Sequence, residues 1–345
     1  MLVDYAGRTY YVRHLISFSN ARIYDMTDAA ARLKNFPISW FAMIMGMTGF
    51  SIAWNRAEHI FDTGFCVSSV LLGVASVLFV VLATIYAAKI VKYPQDVLGE
   101  IRHPVKLAFV PTFSIGLLLL SIAYLHIAPA LSFWLWSVGA VLHLAITLYV
   151  LSSWIHHTKY EIAHLNPAWF IPVVGNILVP VAGVHHASPE ISWFFFSLGL
   201  FFWPILTAII FYRLIFHGSL PERFMPTLFI FIAPPAVGFI SWFNLTGGVD
   251  AFARVLYFVG LFFTLLLLSQ FNYFRRLKFF LSWWAYSFPI AAITIATLIM
   301  VKATGLALYT WLAAGLLGVL SLLVLMLLVR TALAVVRREI CVEGH

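Results

Sequence analysis

The chain reads NPAWFIPVVGNILVP over residues 166–180, an apolar stretch that contains three prolines and no charged side chain. Proline removes a backbone amide donor and clashes with the carbonyl one turn back, so a helix bends or breaks where it occurs. In hydrocarbon, each freed carbonyl needs a protein partner or a water-filled cavity. A helix of this composition therefore belongs beside a cavity inside a bundle of membrane helices.

The rest of the chain has the composition of a polytopic membrane protein. Of its 345 residues, 63% are hydrophobic and only 10% are charged, whereas soluble domains contain about a quarter charged residues. A bilayer-spanning helix needs about 20 apolar residues. Ten stretches meet that length approximately, and the predicted spans are 36–54, 64–90, 104–126, 130–152, 168–186, 191–214, 222–244, 250–274, 278–301 and 305–331.

Charged residues give the spans a direction and limit their chemistry. All 13 acidic residues lie in tails, in loops or at span edges. Because a carboxylate in hydrocarbon usually marks an ion or proton site, this distribution favours a pore over a proton-driven pump. Of the 21 Lys and Arg residues, all but Arg56, Arg254 and Lys302 fall on one side of the predicted spans. The positive-inside rule then predicts that both termini are cytoplasmic.

Prolines alternate along the chain with a regular period. Pro37, Pro104, Pro167, Pro226 and Pro289 mark the five odd spans at steps of 67, 63, 59 and 63 residues, whereas the even spans contain only Pro204. Such a period indicates five repeated helical hairpins. We predict an all-α membrane protein in which the five proline-containing helices form an inner ring and the other five face lipid.

The same odd spans carry the motifs of a known family. The segments are FPISWFAMIMGMTGFSIAW at 36–54, HPVKLAFVP at 103–111, NPAWFIPVVGN at 166–176, APPAVGF at 233–239 and WWAYSFP at 283–289. Taken together they resemble the tellurite-resistance/dicarboxylate transporter family, which includes bacterial TehA-like proteins and plant slow anion channels. The resemblance implies ten helices as five hairpins in a quasi-five-fold arrangement around a central pore, assembled as a homotrimer. It also implies a bacterial inner (plasma) membrane location.

Resemblance and physical argument together assign a gate to Phe288. In the family, a phenylalanine on the ninth helix closes the pore at mid-membrane, and Phe288 is the matching residue. Pro289 places a bend beside it, and an apolar ring in a narrow pore blocks ions by its bulk and by excluding water. The other residues predicted to kink the helices or line the pore are Pro37, Ala42, Gly46, Pro111, Pro172, Gly175, Pro234, Pro235 and Pro289.

Arg102 and Lys106 are predicted to attract anions at the pore mouth, although ordinary positive-inside usage explains them equally well. His143 lies near the middle of an even span, where an interhelical hydrogen bond is a better interpretation than a proton relay. Residues 1–35 and 332–345 are predicted as cytoplasmic segments that flank a channel domain at 36–331, and the first could form an interfacial helix.

The predicted function is a gated channel for small monovalent anions such as chloride or nitrate. A pore wall without charge favours weakly hydrated anions, because nothing inside it replaces a strong hydration shell. The alternative is a secondary carrier for C4-dicarboxylate, sulfite or tellurite-type oxyanions, which usually needs a fixed charge at mid-membrane. We predict no enzymatic activity, no cofactor, no metal site and no nucleic-acid partner.

Overall fold

The computed structural model describes residues 30–341, which form helices and no strand. The predicted interfacial helix lies outside these described residues, apart from its last few positions. Within 30–341, nine helices are long and apolar enough to cross a membrane. The first predicted span is also helical, at Ile38–Trp40 and Phe41–Phe61, but Asn55, Arg56 and Glu58 make its last turns polar. The chain is an all-α membrane protein, and the count of ten spans stays a prediction.

The helices alternate between segments that contain 3₁₀ turns and unbroken α-helices. We call the first kind inner segments 1 to 5: Ile38–Trp40 with Phe41–Phe61, then Lys106–Tyr124, Pro167–His186, Glu222–Thr246 and Leu281–Thr304. We call the second kind outer helices 1 to 5: Val67–Lys92, Pro129–His156, Pro189–Phe216, Ala251–Ser269 and Ala307–Val336. Short helices at Pro94–Arg102 and Phe271–Phe274 complete the basic end of the molecule.

Burial follows the same alternation. Among the nine membrane-length helices, inner segments 2 to 5 are 67–89% buried inside the protein, whereas the five outer helices are only 22–39% buried. An apolar helix that is buried on all sides belongs to the centre of a bundle, and one with a large exposed apolar face borders lipid. The predicted separation of proline-containing helices from lipid-facing ones therefore matches the packing.

Contacts between the inner segments follow a closed order. Segment 1 packs on segments 2 and 5, segment 3 packs on segments 2 and 4, and segment 4 packs on segment 5. Each outer helix packs on the inner segment that precedes it in the chain. These pairs correspond to the five predicted hairpins.

Proline explains why the inner segments begin irregularly. Each starts with a 3₁₀ stretch at the same end of the molecule, for example Glu222–Ile232 before the α-helix Ala233–Thr246 and Leu281–Tyr286 before Ser287–Thr304. Pro234 and Pro289 lie in the first turn of the α-helix that follows, where a missing amide costs nothing. Segment 3 alternates between the two helix types along its whole length, because Pro167, Pro172 and Pro180 recur within it.

A buried ion pair ties outer helix 1 to the short helix Pro94–Arg102. The Lys89 ammonium donates to a Glu100 carboxylate oxygen at 2.7 Å and to the Phe36 carbonyl at 2.8 Å. The Tyr86 hydroxyl donates to the other Glu100 oxygen at 3.0 Å. Sequence analysis treats both charges as ordinary residues at a span edge, so this pair is a finding of the structure.

Candidate pore

A narrow cavity lies between the five inner segments. Its volume is about 70 Å³, which is room for a few water molecules. Each inner segment contributes to its wall, for example through Met45, Ile115, Val174, Val237 and Phe288. Among the lining side chains within residues 30–341, Thr112 supplies the single hydroxyl group and none is charged. The cavity is therefore an apolar space on the axis about which the inner segments pack.

Phe288 borders this cavity at the start of the α-helix Ser287–Thr304. It is half-buried, whereas its neighbours Ser287 and Pro289 are fully buried. On the opposing helix, a Cβ added at Gly49 would lie 3.4 Å from the edge of the Phe288 ring. The same Cβ would lie 3.1 Å from the Ala291 Cβ, so Gly49 allows segment 1 to approach segment 5 closely beside the ring.

The other predicted site residues divide between the cavity wall and the helix packing. Ala42, Gly175, Pro234 and Pro289 line the narrow cavity. Pro111, Pro172 and Pro235 are buried at helix junctions and do not line it. Gly46 differs from the expectation of pore lining, because a Cβ there would overlap the Ser287 side chain of segment 5. Its role is close approach of two inner helices.

A second, wider cavity of about 840 Å³ opens at the end where the inner segments begin. The two cavities adjoin, because Ala42, Phe109 and Ala285 line both. We call the wider one the basic cavity. Its cationic lining consists of Lys106, Arg223, Arg275, Lys278 and Arg330, against the two acidic residues Glu100 and Glu339. Pro37 also lies in its wall.

Of the two cations predicted at a pore mouth, Lys106 lines the basic cavity and Arg102 does not. Arg102 ends the short helix Pro94–Arg102 with its side chain exposed, and its carbonyl accepts a hydrogen bond from the Lys159 ammonium at 2.9 Å. The three intervening residues turn the chain, so that neighbours in sequence face different ways. The sequence does not indicate the four additional cations at this site, which come from distant parts of the chain: Arg223, Arg275, Lys278 and Arg330.

His103 lies in the wall of the basic cavity and its ring is uncharged. Its Nδ1 accepts hydrogen bonds from the backbone amides of Val105 and Lys106, at 3.1 and 3.3 Å. The proton of the neutral ring is therefore on Nε2. Burial lowers the pKa of His103, and the nearby charges of Lys106, His164, Arg223 and Lys159 lower it further. The ring is uncharged at neutral pH and gains a charge only in more acidic conditions.

Behind the narrow cavity, His143 makes the interhelical hydrogen bond that its sequence position suggests. Its Nδ1 lies 2.9 Å from the Ser114 hydroxyl, which itself donates to the Pro111 carbonyl at 2.9 Å. The Ser114 hydroxyl has one proton, so Nδ1 is the donor to its oxygen. His143 thereby links outer helix 2 to inner segment 2, and its Nε2 faces the backbone of Gly175.

Comparison with known proteins now gives these two cavities a context. Residues 35–332 match the family model described as voltage-dependent anion channel. The chain belongs to the voltage-dependent anion channel family. The match includes every lining residue of the narrow cavity and most of those of the basic cavity. It confirms the family resemblance predicted from the five motifs, and with the nine membrane-length helices it makes the chain an integral multi-pass membrane protein of an anion channel and transporter family.

Relatives within the family come from plants, bacteria and archaea. The S-type anion channel SLAH2 of Arabidopsis thaliana is 30% identical over 77% of this chain and 53% of its own length. A tellurite resistance protein TehA homolog of Haemophilus influenzae is 26% identical over 75% of this chain and 80% of its own. An uncharacterized transporter of Methanocaldococcus jannaschii is 27% identical over 87% of this chain and 94% of its own length. The chain spans only about half the length of plant relatives such as SLAH2.

Proposed function

We propose that this protein is a gated channel for small monovalent anions such as chloride or nitrate, with the Phe288 ring as its gate. The observation that carries this proposal is an uncharged apolar cavity that all five inner segments line, with Phe288 in its wall. An apolar constriction closes a pore without needing a charge to be neutralised. The quasi-five-fold arrangement around this cavity is part of the same proposal.

Anion selectivity is supported by the charges of the basic cavity. Five Lys and Arg side chains surround a space that adjoins the narrow cavity, and Lys89 compensates one of the two acids there. A concave surface of one charge sign raises the local concentration of the opposite ion. Anions therefore accumulate next to the gate while cations are depleted.

Carrier function for C4-dicarboxylate, sulfite or tellurite-type oxyanions is the alternative, and the archaeal relative is named a transporter. A coupled carrier usually holds its substrate with a fixed charge near mid-membrane, and the narrow cavity has no charged lining residue. Current recordings with substituted anions on the reconstituted protein separate the two. Currents that scale with voltage in each anion support a channel, whereas electroneutral proton-coupled uptake would replace it with a carrier.

Membrane orientation is the next part of the proposal, with the basic cavity facing the cytoplasm of a bacterial inner membrane. Cysteines introduced at Arg56 or Lys302 are expected to react with an impermeant thiol reagent from outside sealed cells. A cysteine at Arg276 should react only after the cells are opened. The labelling is performed with Cys66→Ser, because Cys66 is exposed. Reaction of the Arg276 cysteine in sealed cells would contradict the proposed orientation.

Assembly as a homotrimer with one pore per subunit also stays a proposal. It comes from the family resemblance, and the exposed apolar faces of the outer helices are available both to lipid and to a second copy. The mass of the purified protein in detergent, measured by light scattering with the detergent contribution subtracted, distinguishes three copies from one.

Lowering the pH on the side of the basic cavity should increase the anion current, because His103 becomes protonated. Because its pKa is lowered, the ring is neutral at pH 7 and becomes positive only as the pH falls below the ordinary histidine value of about 6.5. The added charge attracts anions to the cavity. We expect current to rise as the pH falls below about 6.5, and the rise to be absent in His103→Gln. An equal rise in both proteins would place the pH sensor elsewhere.

A further inference from the structure

The pore-facing side of inner segment 1 ends in an arginine. Ala42 and Met45 line the narrow cavity, and Gly49 faces Phe288. An α-helix has 3.6 residues per turn, so a residue seven positions further returns to nearly the same face. Arg56 is seven residues beyond Gly49 in the continuous helix Phe41–Phe61, about 10 Å nearer the end opposite the basic cavity. We call that end the far end.

The far ends of the other inner segments also carry polar residues. Lys302 follows Phe288 by 14 residues within the α-helix Ser287–Thr304, and so returns to nearly the same face. His126 lies just past the end of the α-helix Thr112–Tyr124, and His185 lies in the last turn of the short α-helix Pro180–His186. The His126 and His185 rings lie 6.4 Å apart, which places two of these segment ends side by side. Asn244, seven residues after Val237, donates to the Val181 carbonyl at 3.3 Å. We call these residues the far ring: Arg56, His126, His185, Asn244 and Lys302.

Of the four acidic residues at the far end, Glu58 and Asp250 are held by hydrogen bonds, whereas Asp62 and Glu190 are exposed to solvent. Glu58 accepts hydrogen bonds from the Ser68 amide and hydroxyl, at 3.0 and 2.5 Å. Asp250 caps outer helix 4 through the Ala253 amide at 2.8 Å and accepts from the Trp242 indole at 3.0 Å. None of the five far-ring residues is acidic. Two of the three basic residues predicted for this side of the membrane thus lie on pore-facing helix sides.

Arg56 differs from the other cations of the molecule in its surroundings. It is half-buried, and within residues 30–341 its guanidinium has no hydrogen-bond or salt-bridge partner. A partly desolvated guanidinium whose five N–H donors are unused is available to a ligand. Its planar fork matches the two oxygens of a planar oxyanion, whereas a spherical halide engages it less completely.

We propose that Arg56 forms an anion-binding site at the far end of the pore that favours planar oxyanions, such as nitrate, over halides. Lys302 adds positive charge about one turn further out without selecting by shape. This inference rests on the proposed channel function and assigns a selectivity-determining residue to it. The site holds the anion on the side of Phe288 away from the basic cavity.

The first experiment measures currents from the far side in the Phe288→Ala channel. Arg56→Gln should raise the half-saturating nitrate concentration roughly tenfold, because a hydrogen-bonded charge of this kind contributes about one to two factors of ten in affinity. Arg56→Lys should retain chloride current and lose the preference for nitrate. Arg254→Gln is the matched control, since it removes the same charge from an exposed position on outer helix 4. Equal effects of Arg56→Gln and Arg254→Gln would overturn the proposal.

A second measurement does not depend on conduction. In a Cys66→Ser, Cys341→Ser protein, a cysteine replacing Lys302 is labelled from the far side with an anionic and with a neutral methanethiosulfonate at low salt. The ratio of the two rates reports the local potential. It should fall severalfold with Arg56→Gln, and nitrate should reduce it more than chloride does. A labelling ratio that Arg56→Gln leaves unchanged would refute the anion site at Arg56. A ratio that changes as expected, together with a Phe288→Ala protein that carries no current, would refute only the proposed gate.

Discussion

Replacing Phe288 with alanine is expected to increase anion current at least about tenfold, because lowering a barrier by about 1.4 kcal/mol already gives that factor. The ring borders a cavity in which none of the lining residues is charged, so its removal widens the space without introducing or removing a charge. Planar-bilayer recordings of the reconstituted parent and variant test this directly. Current should remain anion-selective, since the basic cavity is unchanged.

Stability distinguishes a gate from a packed core residue. Truncating a fully buried phenylalanine typically costs about 3–5 kcal/mol through lost burial and the cavity left behind. Phe288 is half-buried beside an existing cavity that water can enter, so the cost there should be smaller. Phe239 is the control for stability. It lies on inner segment 4, where it is fully buried and packs against Tyr257 of outer helix 4.

Phe279→Ala is the control for conduction. Phe279 lines the wide basic cavity, and its removal leaves the narrow cavity intact. Two results would contradict the gate: a Phe288→Ala protein that folds normally and conducts no more than the parent, or a Phe279→Ala protein with the same increase. A current carried by cations would contradict the proposed source of selectivity.

Removing the Lys89 ammonium is expected to destabilise the protein by about 3–5 kcal/mol, because it leaves the Glu100 carboxylate buried without its counter-charge. Both side chains are almost inaccessible to solvent, at 1% and 8% exposure. Lys89→Met retains much of the apolar stem and removes the charge. Denaturant unfolding in detergent, followed by tryptophan fluorescence, measures the loss.

A surface ion pair at the same end provides the matched comparison. Lys34 and Asp96 approach to 3.8 Å with 48% and 38% of their side chains exposed, and such pairs contribute only about 0–1 kcal/mol. Lys34→Met should therefore have little effect. The double variant Lys89→Met, Glu100→Gln should recover part of the stability, because no unpaired charge remains. If Lys89→Met and Lys34→Met lost the same stability, the buried ion pair would contribute no more to folding than the surface pair does.

The sequence is sufficient to predict the helical architecture because proline and apolar length act locally. Pro104 precedes inner segment 2, Pro167 begins inner segment 3, and Pro226 lies within the 3₁₀ stretch that opens inner segment 4. Predicted boundaries differ from the observed ones mostly by a few residues. The largest difference is inner segment 1, predicted to end at 54 and observed to end at Phe61. Helix ends depend on capping and neighbours, which an apolar count does not include.

Side-chain direction is the part that the sequence leaves open. Ala42 and Gly46 are four residues apart on one helix, yet one lines the narrow cavity and the other packs on segment 5. Lys89 and Glu100 meet only because a short helix follows outer helix 1, in a region predicted as loop. In both cases the deciding quantity is a rotation or a turn of the backbone, which composition does not specify.

The 3₁₀ turns at one end of the inner segments make the molecule mechanically asymmetric. A 3₁₀ turn has poorer hydrogen-bond geometry than an α-turn and readily interconverts with it. At the far end, segments 1, 4 and 5 finish as regular α-helices, at Phe61, Thr246 and Thr304. Elastic deformation is thus least costly around the basic cavity. A change of shape there can adjust the junction between the two cavities, at Ala42, Phe109 and Ala285, while the far end keeps its geometry. The half of the protein that deforms is then separate from the half that is proposed to select the anion.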